Sequence, residues 1–456
     1  MAADRWSAAA IAALAALYLV LFRPGYSVMG GGDFALYLAH ARAIATLQPY
    51  DATFFVYNPA NAIMSPAAYP PGLPLLLAPV IALFGLDLSA IRLVMLASLL
   101  ATLWLLHRLA LPSLGPRWSA VLVLAAGLSP AILMRRDAIG SDMVFTAWCL
   151  LALLGARGRP ALLAIGVAMA ILTRSVGIVL AVAIALDLAF RPGPARRRLL
   201  PALLAATAAA LVATLWLRVD NATYAGYFAR LSLSGLIGAL PAYAFALVEL
   251  FGLSFGRLAN WPVLLALAAL IAIGLLARLR RGPDAVTWFV LLYAATLIAY
   301  PVHLEPTRYA LPILPLLLLL ALEPAAPRLH PIVALSAFAI LYAPYYATHD
   351  PRAQAPLTAD SPDFTDLVAR MQATPPGTLF LADNPRIFAL FASRPSVSPP
   401  EHLTADSLRA TIARYRPAYV IEEKWHPAAP LLADLPTVFE NPAYRLRTIP
   451  AAAPGR

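Results

Sequence analysis

The chain contains one uninterrupted apolar run after another, several approaching the roughly 20 residues needed to cross about 30 Å of hydrocarbon, and this repetition limits the folds open to it. A bilayer core offers no water to backbone groups, so such runs read as transmembrane helices and not as buried strands. A soluble core could not absorb them: of 456 residues 61% are hydrophobic and 12% charged, against about 25% charged in an ordinary soluble domain. The expected fold class is mainly α, a polytopic helical membrane protein with a small C-terminal α/β domain.

Eleven spans are expected, at 6–22, 89–107, 118–134, 143–156, 161–173, 175–190, 199–217, 261–278, 286–302, 309–322 and 331–347. Residues 6–22, preceded by Arg5, also have the form of a signal peptide, but no small-x-small cleavage site follows closely, and a retained first helix is expected. The segment 73–85, LPLLLAPVIALFG, has 13 residues and two prolines and is nearer the length of an interfacial or re-entrant piece.

The net charge of +11 would point to nucleic acid in a soluble protein. Here the arginines cluster in short loops between apolar runs, a topological pattern, and no nucleic-acid partner is expected. With 73–85 lying on the outer surface, Arg108 and Arg117, Arg157 and Arg159, Arg191 with Arg196 to Arg198, Arg278 with Arg280 and Arg281, and Arg328 all fall inside. The N-terminus is then inside, the tail from about 350 is outside, and large outer loops occupy 23–88 and 218–260. The single cysteine, Cys149, excludes an internal disulfide or a cysteine metal site.

Two domains are expected: 1–349, transmembrane, with the outer loop 23–88, and 350–456, soluble and α/β. In the tail SPDFTDLVARMQ and TADSLRATIARY read as helices, TLFLAD and AYVIEE as strands, and Ser361 or Asp363 and Thr404 as N-caps.

Chemistry is sought on the outer side. Asp33 follows three glycines and opens a helix with apolar residues at 34, 36, 38, 41 and 44. A carboxylate beside a helix N-terminus is favoured in its ionised form; the plainer reading is an N-cap. The loop RRDAIGSDM carries Arg135, Arg136, Asp137 and Asp142, and Asp142 is expected to begin a helix and face the same cavity as Asp33, or else to be a salt-bridged cap. Arg174, in ILTRSVG, would cost about 2.5 to 3.5 kcal/mol in mid-span. Two short spans meeting at the outer surface avoid that cost, whether it binds a ligand or snorkels from a helix end. Arg308, in YPVHLEPTRYALP, is near His303 and Glu305, and its plainer reading is a pair with Glu305. Carboxylates suited to a general base and arginines suited to a phosphate, at about 1.5 to 3 kcal/mol per charge-assisted hydrogen bond, point to transfer from a phosphate-activated lipid. His303 with Glu305 is a thin basis for a divalent metal. No metal is assigned and no cofactor is expected.

In GDFALYLAHARAIA, SPAAYPPGLPLLLAPVIALFG, RRDAIGSDMVFTAWCLLALL, AMAILTRSVGIVLA and TRYALPILPLLLLL, in this order and spacing, the chain resembles bacterial membrane glycosyltransferases of the GT-C fold. That superfamily includes the dolichyl-phosphate-mannose protein mannosyltransferases and the aminoarabinose lipid A transferase. The resemblance implies an inverting transfer from a polyprenyl-phosphate sugar donor to a lipid, polysaccharide or protein hydroxyl at the outer face of the cytoplasmic (inner) membrane. It implies Asp33 as base, Asp142 as a second active-site carboxylate, and Arg174 and Arg308 as phosphate contacts. His40, Tyr69, Arg136, His303 and Glu305 are expected to support them. Many relatives carry two adjacent acidic residues in the first loop, whereas Asp33 is followed by Phe34, which argues against a metal there. The rival class is a transporter or flippase, which tends to show repeats and midplane charges; neither is found in the sequence.

Overall fold

A computed structural model describes residues 5–30, 32–64, 66–190, 193–217, 232–300, 305–425, 432 and 434–450. Arg191 and His303 lie outside the described residues.

In chain order the helices begin with α1 (Arg5–Leu21), α2 (Asp33–Ala45), α3 (Gly72–Phe84), α4 (Leu88–Gly127), α5 (Pro130–Leu133), α6 (Ser141–Gly155), α7 (Pro160–Thr173), α8 (Ile178–Phe190) and α9 (Pro194–Trp216). They continue with α10 (Leu233–Leu250), α11 (Arg257–Arg281), α12 (Ala285–Ala299), α13 (Pro306–Ala310), α14 (Leu314–Ala325) and α15 (Pro331–Thr348). In the tail come α16 (Pro362–Gln372), α17 (Pro385–Ala392) and α18 (Ala405–Tyr415). The strands are β1 (Phe55–Val56), β2 (Phe380–Ala382), β3 (Ser396–Val397), β4 (Tyr419–Glu423), β5 (Thr437–Glu440) and β6 (Tyr444–Thr448).

Among the described residues each of the eleven expected spans overlaps helix, 286–302 as far as Ala299, and six helical runs are long and apolar enough to cross a membrane. The protein is a polytopic helical membrane protein. One of the six, α10, lies in what the sequence reading takes as an outer loop; Pro241 interrupts its apolar run and Glu249 stands at its end. The described residues form two compact units, and the boundary differs from the expected one. The loop 24–91 belongs with the chain from 354 onward, not with the helices.

The first unit is the helix bundle. His107 Nδ1 lies 2.7 Å from Ser119 Oγ, twelve residues away in α4; a straight helix would separate them by about 18 Å. The chain therefore reverses at Gly115, whose φ of +73° suits glycine, and α4 is two antiparallel arms. Association of such helices depends on close packing and polar bonds, because lipid is as apolar as leucine. A Cβ on Gly274 of α11 would lie 2.0 Å from the Leu320 carbonyl oxygen of α14, so these backbones nearly touch. The hydroxyls of Tyr18, Tyr342 and Tyr346 donate to the carbonyls of Gly127 (2.7 Å), Ala125 (3.0 Å) and Leu128 (2.8 Å). Arg278 of α11 donates to Glu323 at 2.8 and 2.6 Å and to Asp284 at 2.8 Å, tying three helix ends together.

The second unit is built on a six-stranded sheet of order β1-β3-β2-β4-β6-β5, parallel from β1 to β4 and antiparallel at β6 and β5. Its first strand comes from the loop after α1. On one face Leu381, Val397, Leu408 and Val420 pack together. With side chains alternating along β4, Glu423 and its cross-strand partner Tyr444 belong to the opposite face, where Tyr444 meets Phe364 and Phe388. Loop and tail are further joined by Asn58 and Asn61, which donate to the carbonyls of Ser398 and Pro399, each at 2.9 Å. Thr404 forms the expected N-cap with Ser407 in a capping box. Ser361 stands at the N-cap of α16, but its hydroxyl donates to the Thr358 carbonyl instead, at 2.7 Å.

Candidate active site

Asp33 is the first residue of α2. The N-cap is Gly32, so Asp33 does not cap the helix. Its Oδ1 accepts from the Tyr69 hydroxyl at 2.7 Å and from Arg386 Nη1 at 2.9 Å. Tyr69 is itself fixed on three sides. Its N–H points to His40 Nε2 at 3.3 Å, its carbonyl accepts from the Tyr50 hydroxyl at 2.7 Å, and its ring stacks on Tyr37 at 4.5 Å. His40 Nδ1 lies 2.7 Å from the Tyr50 carbonyl. An imidazole that donates from Nδ1 and accepts at Nε2 is neutral, and burial lowers the His40 pKa from 6.5 to about 4. Tyr69 thus contacts Asp33 directly, and His40 holds Tyr69.

Arg386, at the start of α17, escaped the sequence reading, as did Asn384 before it. The guanidinium is almost fully buried. Besides Asp33 it donates to the Tyr69 hydroxyl at 3.0 Å and to the carbonyls of Met64 and Pro66, and it lies 5.1 and 5.2 Å from the ring centres of Phe55 and Tyr69. The available signal was an arginine inside the apolar helix PRIFALFA, a placement that demands partners.

The second centre belongs to the bundle. Asp142 sits in the first turn of α6, buried, and forms ion pairs with Arg174 and, at 3.0 Å, with Arg308 Nε. Arg174 occupies the break between α7 and the 3₁₀ turn that opens α8, with an extended backbone. Arg308 lies in the one-turn helix α13 and also donates to Glu305 at 2.8 Å. Asp142, Arg174, Arg308 and Glu305 are therefore brought together, and the plainer readings of Asp142 and Arg308 as paired residues describe real contacts. Arg136 is engaged elsewhere. It donates to the carbonyls of Leu21 (2.5 Å), Leu133 (3.1 Å) and Pro351 (3.2 Å), which satisfies the exposed end of α1. Asp137 pairs with Arg92, whose guanidinium covers the Phe22 ring at 4.4 Å.

Among the described residues no group of three or more His, Cys, Asp or Glu side chains could share a metal ion. The neighbours found for Asp33, a phenol and a guanidinium, are donors and not ligands.

The helix bundle, whose described charged side chains lie near helix ends, and the mixed α/β unit make up a membrane protein, and solved membrane glycosyltransferases of the GT-C fold share this fold. The oligosaccharyltransferase of Archaeoglobus fulgidus, solved with Zn and sulfate, matches with a TM-score of 0.60 and 14% identity over 91% of this chain and 68% of that one. ArnT from Cupriavidus metallidurans in the apo state matches at 0.58 and 17% over 98% of both chains. The same protein bound to undecaprenyl phosphate matches at 0.57 and 15% over 97% of this chain and 98% of that one. At such identities the likeness is one of fold. No protein-family model and no curated protein sequence matches the chain.

Proposed function

We propose that the protein is an inverting glycosyltransferase that moves a sugar from a polyprenyl-phosphate donor to a hydroxyl acceptor on a lipid, polysaccharide or protein, at the outer face of the cytoplasmic membrane. The observation that carries this reading is the meeting of Arg174 and Arg308 on one carboxylate, Asp142, in a bundle of the GT-C fold. A solved structure of that fold holds undecaprenyl phosphate.

In the proposed reaction the acceptor oxygen bonds to the anomeric carbon while the bond from that carbon to the phosphate oxygen breaks. The hydroxyl proton passes to Asp33, and polyprenyl phosphate leaves with one more negative charge than the phosphate had in the donor. Donors already aimed at that developing charge lower the barrier, which is the role assigned to Arg174 and Arg308. Asp142 orients them.

Binding of undecaprenyl phosphate to the purified full-length protein tests the reading without knowledge of the sugar. Arg174→Ala and Arg308→Ala should each weaken it by about tenfold or more, and lysine should recover only part, since a point charge lacks the guanidinium fork. Normal binding by both alanine variants would return the arginines to a purely structural role. For the acceptor half, Asp33→Asn should lower the release of polyprenyl phosphate from a lipid-linked sugar by about 10² to 10⁴. Near-normal turnover would remove Asp33 from the reaction.

A further inference from the structure

We infer that Arg386 is a positioning residue for Asp33, so that the C-terminal segment supplies part of the site and is not an appendage. The inference rests on the reading of Asp33 as the base. A buried guanidinium is tolerated only when paired and hydrogen-bonded. Arg386 retains 2% of its side-chain exposure and is surrounded by the Asp33 carboxylate, the Tyr69 hydroxyl and the Met64 and Pro66 carbonyls. Those carbonyls accept from Nη2, and Asp33 and Tyr69 accept from Nη1. Asp33 supplies the negative charge in contact with it.

The pair is asymmetric. Asp33 keeps 30% of its side-chain surface while Arg386 is sealed behind it, between the Phe55 and Tyr69 rings. One carboxylate oxygen is thus gripped by two donors from different parts of the chain, which fixes the rotation of the group, and the guanidinium favours its charged form. Arg386 is aimed by its own neighbour as well, since Asn384 donates to the Gly30 carbonyl and docks the start of α17 on the glycine loop before α2.

Arg386 and Tyr69 touch Asp33, His40 and Arg42 lie on its own helix, and Asp51 is near His40. The helix α3, which packs on α2, carries no ionisable side chain. Arg386 is a cation in direct contact with Asp33, so its loss should change how Asp33 titrates.

The test uses full-length protein in detergent and follows the carboxyl stretch of Asp33 by infrared spectroscopy from pH 3 to 8, assigned by subtraction of the Asp33→Asn spectrum. In Arg386→Gln the midpoint should rise by about 1 to 3 pH units. Arg386→Lys, which restores the charge, should return it most of the way. An unchanged midpoint in a folded Arg386→Gln protein overturns the inference. If that variant does not fold, Tyr69→Phe, which removes the second donor to the same oxygen, should raise the midpoint in the same direction; no rise there overturns it equally. Turnover of Asp33→Asn separates the two ideas. If that variant is active, the base assignment fails whatever the spectrum shows; if it is inactive while Arg386→Gln titrates normally, only the present inference fails.

Discussion

Asp142 and Glu305 together balance the charges of Arg174 and Arg308, and a phosphate arriving at those groups would bring a third negative charge to them. Asp142 is buried and engages both arginines, whereas Glu305 is 55% exposed and holds only Arg308 among the described contacts. Glu305 is the partner a phosphate would displace. An exposed ion pair contributes up to about 1 kcal/mol, so Glu305→Gln should tighten undecaprenyl phosphate binding by up to about fivefold; equal or weaker binding would show that Glu305 does not compete. Two groups in the α/β unit set opposite pH limits. Because His40 titrates at about 4 when folded and 6.5 when unfolded, its contribution is full above pH 6.5 and is lost as the pH falls from 6.5 towards 4. Burial, and then the charge of Asp383, raise Glu423 from 4.5 to about 8, so its contribution is full below pH 4.5 and is lost as the pH rises from 4.5 to 8. Unfolding midpoints measured between pH 5 and 8.5 should fall more steeply on the alkaline side in the native protein than in Glu423→Gln. Identical alkaline slopes would mean that Glu423 ionises without penalty.

At the scale of elements, what the sequence made legible was whatever is local. The amphipathic spacing of α16 and α18 and the short apolar runs of β2 and β4 sit within a few residues of one another, and the expected segments match the observed ones. β1 was not legible because it is two residues long and its partner β3 lies in the tail. Arg386 was not legible as a site residue for the same reason: nothing in PRIFALFA names a partner at Asp33. The docking of α17 on the loop before α2 also explains Gly32. With φ at +21°, a Cβ on Gly32 would lie 2.1 Å from Asn384 Oδ1, so Gly32→Ala must push Asn384, and with it the helix that starts at Pro385, away from Asp33. A shift of about 1 Å at a reacting group can lower a rate by about 10²-fold, and that is the loss expected in turnover. Adding Asn384→Ala removes the collision and should recover part of it. A double variant no better than Gly32→Ala alone would place the defect in the backbone of the loop and not in the contact.

For the whole molecule, contacts within the bundle decide which helices change the side of the chain. Arg92 Nη1 donates to the Arg23 carbonyl at 2.6 Å, so the chain leaves the bundle after α1 and returns to α4 at the same end. The segment with α3 is therefore predicted to add no net crossing. The same reasoning applies to α10. Asp142 and Arg174 are separated in sequence by α6 and α7, one out-and-back pair, and Arg308 joins them at 3.0 Å. If α10 added a single crossing, Arg308 would stand at the opposite end of the bundle from Asp142. A Cβ on Gly252, just beyond α10, would meet Pro130 at 2.2 Å, which puts the exit of α10 at the end where α5 precedes Asp142. With these two segments neutral, Arg108, Arg117, Arg157, Arg159, Arg196 to Arg198, Arg278, Arg280, Arg281 and Arg328 are expected at one end, which the positive-inside rule predicts to be cytoplasmic. A reporter active only in the cytoplasm should therefore work when fused near residue 115 and near 282, and fail when fused after 350. Activity at 115 and after 350 but not at 282 would mean that α10 crosses and that the Arg308 contact is wrong. Loss at 115 and 282 with activity after 350 would invert the whole protein and move Asp142, Arg174 and Arg308 to the cytoplasmic face, where an outer-face transfer could not use them.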